Sequence, residues 1–139
     1  FIEHIFLFAP MHDIGKIGIP DDILRKPGPL TVEEWDLVHK HPQKGAEIVL
    51  LVSNLEHIAV LILAHHERYD GSGYPYGLKQ QRIPLGARIL AVADAYSAMT
   101  DGRVYCPPRS HAEALEELFR CSGTHFDPQV VESFASLFD

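Results

Sequence analysis

His65 and His66 stand side by side at the end of an apolar stretch and open into Glu67-Arg68-Tyr69-Asp70-Gly71-Ser72-Gly73-Tyr74-Pro75, a loop dense with glycine. Neutral imidazole is the commonest side-chain metal ligand, so an adjacent pair points to metal binding, with hydrogen-bonded core histidines as the competing reading. Three further groups carry side chains of the same kinds. His12-Asp13 precedes Ile14-Gly15-Lys16-Ile17-Gly18, which sets an ammonium beside a carboxylate; His41 precedes Pro42; Asp94 lies alone in a run of apolar and small residues. Mixed imidazole and carboxylate ligation suits iron, manganese or zinc better than magnesium or calcium.

The elements that must position these groups read as helices. Phe1, Ile5 and Phe8 make one helical stripe that continues to His12, and Ile2, Phe6 and Ala9 a second that continues to Asp13, so both polar groups are expected to face inward. A buried carboxylate beside an imidazole is unfavourable unless paired or bound to metal, and a His-Asp hydrogen bond capping the helix would satisfy it as well. Gly15 and Gly18 break the helix, leaving Lys16 either to reach an anion or to sit in a solvated loop. Residues 20–29 read as a loop. Thr31-Val32-Glu33-Glu34 is a capping box that opens a helix running through Trp35, Leu37 and Val38 to His41, where Pro42 is expected to end or kink it. Taken alone, His41 reads as structural, and His39, on the Trp35 side, as surface or packing.

Residues 43–52 read as another helix, and Ser53 with Glu56 offers the box that opens the next. There Leu55, Ile58, Leu61 and Ile62 place His65 on the inward stripe. Pro84 opens a helix with two apolar faces, Leu85, Ile89, Val92, Tyr96 and Met99 on one and Ala87, Leu90, Ala91, Asp94 and Ala98 on the other. Asp94 is therefore expected in the core beside a cation, either a metal ion or Arg88. Ser110 with Glu113, and Asp127-Pro128, open the last two helices. No stretch alternates as a strand does, which predicts an all-α fold of six or seven helices.

At 139 residues and a formal charge of -7 the chain suits one domain, residues 1–139, and the charge argues against DNA or RNA as a partner. Bound divalent cations would offset that charge locally and leave an anionic ligand open. Cys106 and Cys121 have no ligand-like spacing and read as reduced thiols, which predicts a cytoplasmic protein. The first apolar run, interrupted by Glu3 and His4 and stopped by Pro10, is neither a signal peptide nor a membrane span, so no direct membrane contact is expected. Phe1 lies inside a helix already under way, so the chain is expected to be part of a larger protein, truncated at its N-terminal helix or helices.

His12-Asp13 with Ile14-Gly15-Lys16-Ile17-Gly18-Ile19-Pro20, then His41-Pro42, then His65-His66-Glu67-Arg68 with Asp70-Gly71-Ser72-Gly73-Tyr74-Pro75, then Asp94, resembles the HD-GYP subgroup of the HD-domain metal-dependent phosphohydrolases. The resemblance runs from about Ala9 to the last helix. It implies an all-α HD-domain helical bundle with long loops and no significant sheet. It further implies a metal-dependent phosphodiesterase that hydrolyses cyclic di-GMP to linear pGpG or GMP, with a metal-bound hydroxide as nucleophile. The positions that match its metal ligands are His12, Asp13, His41, His65, His66 and Asp94, for two divalent ions, or three in the intact domain, of iron or manganese. Lys16 and Arg103 match ligand-contacting positions, and the Tyr74 ring offers a stacking surface for a base. The glycine-rich segment is read either as backbone that approaches a ligand or partner, or as a tight turn whose acid caps its own backbone.

The residue types agree with that chemistry. Neighbours on a helix diverge by about 100°, so His12 and Asp13 cannot both meet one ion head-on, but a carboxylate can bridge two ions that each keep an imidazole. Metal pairs ~3.5–4 Å apart clamp the attacking and leaving oxygens of an in-line displacement. Lys16 would stabilise charge growing on the phosphoryl oxygens. The chain departs from the family pattern at Ser97, Val104 and Cys106, and it does not contain the family's upstream metal ligands. Those departures motivate a catalytically impaired receptor or interaction module as an alternative, and a hydrolase of another nucleotide is a third reading. Diguanylate cyclase domains and a second copy of the chain are the expected protein partners, with the chain as the output domain of a larger signalling protein.

Overall fold

Apolar residues recurring every three to four positions form helix in the computed structural model, which describes residues 2–101 and 107–138. Phe1, Arg103, Val104 and Cys106 lie outside the described residues, as do the side chains of Ile2 and Phe6. The fold is all-α: among the described residues the sole sheet-like contact is an isolated bridge between Ser122 and Phe126. No helix among them is long and apolar enough to cross a membrane. The chain divides into two compact units, Phe1–His66 with Tyr74–Tyr76, and Glu67–Gly73 with Gly77–Asp139.

In the first unit, α1 (Ile2–Met11) takes Pro10 into its last turn instead of stopping there. A 3₁₀ turn (Ile14–Gly18) and the short α2 (Asp21–Leu24) follow, α2 inside the stretch expected to be a loop. The predicted capping box opens α3 (Val32–Val38): Glu34 N–H donates to Thr31 Oγ1 at 3.3 Å and Thr31 N–H to Glu34 Oε2 at 2.7 Å. Thr31 is exposed, so Thr31→Ala removes the cap and little else, and urea denaturation should show a loss of about 1 kcal/mol.

The next helix corrects the expected boundary. Pro42 does not end the helix that precedes it; His41 and Pro42 begin α4 (His41–Val49), where a residue without an N–H fits because first-turn donors have no intrahelical acceptor. Similarly, α5 (Glu56–Ala64) is capped at Leu55 without a side-chain bond, so Ser53 does not open it. Asn54, in the left-handed region at φ 68°, makes the turn into α5 instead. α4 packs on α5 and on the 3₁₀ turn, and α1 packs on α5. Phe8, Ala46, Val49, Ile58, Ala59 and Ile62 are the buried residues of these helices that hold the unit together.

In the second unit α6 (Leu85–Thr100), α7 (His111–Arg120) and α8 (Pro128–Ala135) close on Val92, Leu118, Phe126 and Val131. Ser110 with Glu113 and Asp127 with Pro128 form the expected starts of α7 and α8. Asp94 departs from expectation: it is exposed. It continues the stripe of Ala87 and Leu90, both buried, but the cover over that stripe stops short of it, so periodicity indicated the face and not the depth. Arg88 is not its partner either. That guanidinium pairs with the buried Asp127 carboxylate and donates from Nε to Ile83 O at 2.9 Å.

Candidate metal centre

The site grows out of helix ends. The last carbonyls of a helix have no intrahelical donor, and three histidines supply one by folding their rings back. His12 Nδ1–H donates to Ala9 O at 2.5 Å, His41 Nδ1–H to Val38 O at 2.6 Å and His65 Nδ1–H to Ile62 O at 2.6 Å. A carbonyl only accepts, so in each ring Nδ1 carries the hydrogen and Nε2 presents a lone pair. These i-3 locks went unnoticed in the sequence, although each ring comes three residues after a residue near or at the end of a helix.

The free nitrogens converge. His41 Nε2 stands 3.3 Å from His65 Nε2 and 3.1 Å from His66 Nε2. Asp13 Oδ1 lies 3.2 Å from His41 Nε2 and 3.7 Å from His65 Nε2. One ligand atom each from Asp13, His41, His65 and His66 falls within 4.8 Å of all the others. Asp13 Oδ2 faces elsewhere, 2.5 Å from Lys16 Nζ and 3.4 Å from His12 Nε2.

These donors fit a metal ion. Asp13 Oδ1 is buried and receives no hydrogen bond. It shares its surroundings with imidazole lone pairs that repel it and one another unless a cation lies among them. The protonation states agree. His66 is pushed down to about 2, chiefly by burial and then by His65 and His41, and is therefore neutral. Burial would raise the Asp13 carboxyl, but the Lys16 ammonium at Oδ2 counters it and helps keep the group ionised.

Around the cluster, Tyr74 stacks on His66 with ring centroids 4.8 Å apart, and His39, read from the sequence as surface or packing, lies 4.1 Å from Tyr74 and 5.2 Å from Trp35. The Tyr74 hydroxyl is pushed up to about 12 by burial and then by the Asp13 charge. In the second unit the buried Glu67 accepts Leu78 N–H at 3.0 Å. Asp70 Oδ1 accepts Ser72 N–H at 2.8 Å and Ser72 Oγ–H at 2.6 Å, a turn whose acid caps its own backbone, with Gly71 at φ 83°.

Of the residues singled out from the sequence, the structure brings together His12, Asp13, Lys16, His41, His65, His66 and Tyr74. Asp94 is exposed in the second unit, and Arg103 lies outside the described residues. Gly45, which faces Gly15 across the contact of α4 with the 3₁₀ turn, was not singled out; its small size beside Ala46 was the available signal.

Comparison with known proteins agrees with this constellation. The HD domain family matches residues 3–130. A cyclic di-GMP phosphodiesterase of Thermotoga maritima is 47% identical over 139 residues, covering 99% of this chain and 38% of that protein. A 3'3'-cGAMP-specific phosphodiesterase of Vibrio cholerae is 42% identical over 133 residues, covering 94% of this chain and 26% of its own length. The chain thus spans about a third of the length of the curated relatives it matches. The crystal structure of a cyclic GMP-AMP specific phosphodiesterase from V. cholerae has the same fold, with a TM-score of 0.73 at 21% identity, covering 97% of this chain and 37% of that one. With a His-Asp doublet between α1 and the 3₁₀ turn and a family match over nearly its whole length, the chain belongs to the HD domain family.

Proposed function

We propose that this chain is the hydrolytic domain of a metal-dependent cyclic-dinucleotide phosphodiesterase that cleaves cyclic di-GMP to linear pGpG or GMP. The observation that carries this reading is the convergence of Asp13, His41, His65 and His66 with their lone pairs aimed at one another, in a chain with relatives named for that activity. Two divalent ions, iron or manganese, would supply Lewis-acid polarisation of the phosphodiester and of the attacking water. Asp13, His41, His65 and His66 would hold them, with His12 beside Asp13 as a further ligand. Asp94, as a further ligand, and Arg103, as a ligand contact, are proposed on the resemblance alone.

The chain's own residues set the stage for the displacement. The three i-3 locks place the hydrogen of His12, His41 and His65 on Nδ1 in the neutral ring and fix the direction of Nε2, so the ligand nitrogens are oriented before an ion binds. Lys16, held at Asp13 Oδ2, places a positive charge where phosphoryl oxygens would gain negative charge. Lys16→Met should lower kcat about 100-fold while metal content measured by elemental analysis stays at the wild-type level.

A second reading, 3'3'-cGAMP as substrate, is favoured by the 42% identical relative specific for it. A panel of cyclic di-GMP, 3'3'-cGAMP and cyclic di-AMP, offered to anaerobically purified full-length protein with chromatography of the products, tests both. Fastest consumption of cyclic di-GMP is expected; fastest consumption of 3'3'-cGAMP favours the second reading. Tight binding with the dinucleotide recovered unchanged would make the chain a receptor instead.

A further inference from the structure

We infer that Tyr74 is a positioning residue whose ring, stacked on the His66 imidazole, aims His66 Nε2 into the cluster; this rests on the metal reading proposed above. The four imidazoles are not held alike. His12, His41 and His65 are each fixed by Nδ1–H to a main-chain carbonyl at 2.5, 2.6 and 2.6 Å. His66 makes no such bond. Its polar contact is with His41 Nε2 at 3.1 Å, and that nitrogen presents a lone pair because the Nδ1 of His41 carries the hydrogen. With no ion present that lone pair can accept from the His66 ring, but once an ion takes both nitrogens no hydrogen bond orients His66.

Other rings bound it instead. His65 lies at 4.0 Å and a 41° tilt, His41 at 4.9 Å and 81°, and Tyr74 at 4.8 Å and 22°, the most nearly parallel of the three. Tyr74 is itself held. Its N–H donates to His66 O at 3.3 Å, His39 packs on its ring at 4.1 Å, and Trp35 packs on His39 at 5.2 Å. The column Trp35, His39, Tyr74, His66 thus runs from an exposed indole to a ligand nitrogen. A metal-binding imidazole is ordinarily oriented by a hydrogen bond from its other nitrogen; here parallel stacking, which aromatic rings favour at 4.5–7 Å, takes that place. The ring does the holding, not the hydroxyl.

Cobalt(II) alone, titrated into the full-length protein and followed by its visible absorption and by competition with a chelator, tests the role. Tyr74→Leu should weaken cobalt binding about tenfold and alter the absorption bands, while Tyr74→Phe should match wild type. In a His66→Ala background Tyr74→Leu should cause no further loss, because the residue acts through His66. Should Tyr74→Leu fail to fold, His39→Leu, one ring further out, carries the same test with a loss of about threefold. Wild-type affinity in the leucine variants, or an equal loss with and without His66, overturns the positioning role and leaves the metal reading standing. A wild-type protein that takes up no cobalt overturns both, and shows it before any variant is compared.

Discussion

Asp13→Ala should leave the protein folded and without measurable turnover of cyclic di-GMP. Asp13 is the one residue of the cluster with two ligand atoms, and they face different neighbours: Oδ1 meets His41 and His65, and Oδ2 meets His12 and Lys16. Its removal takes the negative charge from among the imidazole lone pairs and strands the Lys16 ammonium. Groups that merely orient a metal ligand are worth 10–100-fold, so loss of a carboxylate shared by both halves of the cluster should exceed about 100-fold in kcat/KM, with metal content falling in parallel. Asp13→Asn should do nearly as badly, because it keeps the shape and loses the charge. Elemental analysis beside a product assay on the same anaerobic preparation checks both, and turnover retained by either variant would refute the assignment.

Gly15→Ala should unfold the site from the backbone side. A Cβ built at Gly15 meets His41 O at 1.9 Å, Gly45 N at 2.6 Å and His41 C at 2.8 Å, all main-chain atoms that no rotamer change can move aside. The 3₁₀ turn and α4 must part, and Asp13, two residues before Gly15, parts from His41 with them. Overpacking of this kind costs about 3 kcal/mol, or ~10 °C in melting temperature for a domain of this size. Gly45→Ala is the control. Its Cβ meets the Ile62 Cγ2 methyl at 3.0 Å and Gly15 N at 3.2 Å, a contact that small shifts can relieve, so its loss should be visibly smaller. Thermal melts of the two variants, read against wild type, decide the matter; equal melting temperatures would mean that this close approach does not hold the site.

Cap chemistry was legible because it is local. Thr31 with Glu34, Ser110 with Glu113, and Asp127 with Pro128 open helices where their types and spacing place them, each pairing atoms at most three residues apart. Where the sequence misled, the deciding partner was not local. Pro42 suits the end of one helix and the start of the next equally well, and the fold chose the start. Asp94 lies on a stripe that is buried two turns earlier, and only the packing around α6 sets where the cover ends.

By itself the order of residues determined the helical class, the supply of imidazoles and carboxylates, and the inward stripe that carries His65, since all of these follow from spacing within a few turns of one helix. Tertiary structure alone decided that His41, unremarkable on its own helix, sits within 3.3 Å of nitrogens from residues 24 and 25 positions later, and that Tyr74 lies on His66. Periodicity fixes the direction of a side chain relative to its own axis; the distance between two axes depends on what lies between them. Here that is a pair of glycines, Gly15 and Gly45, small enough to let the backbones carrying Asp13 and His41 touch.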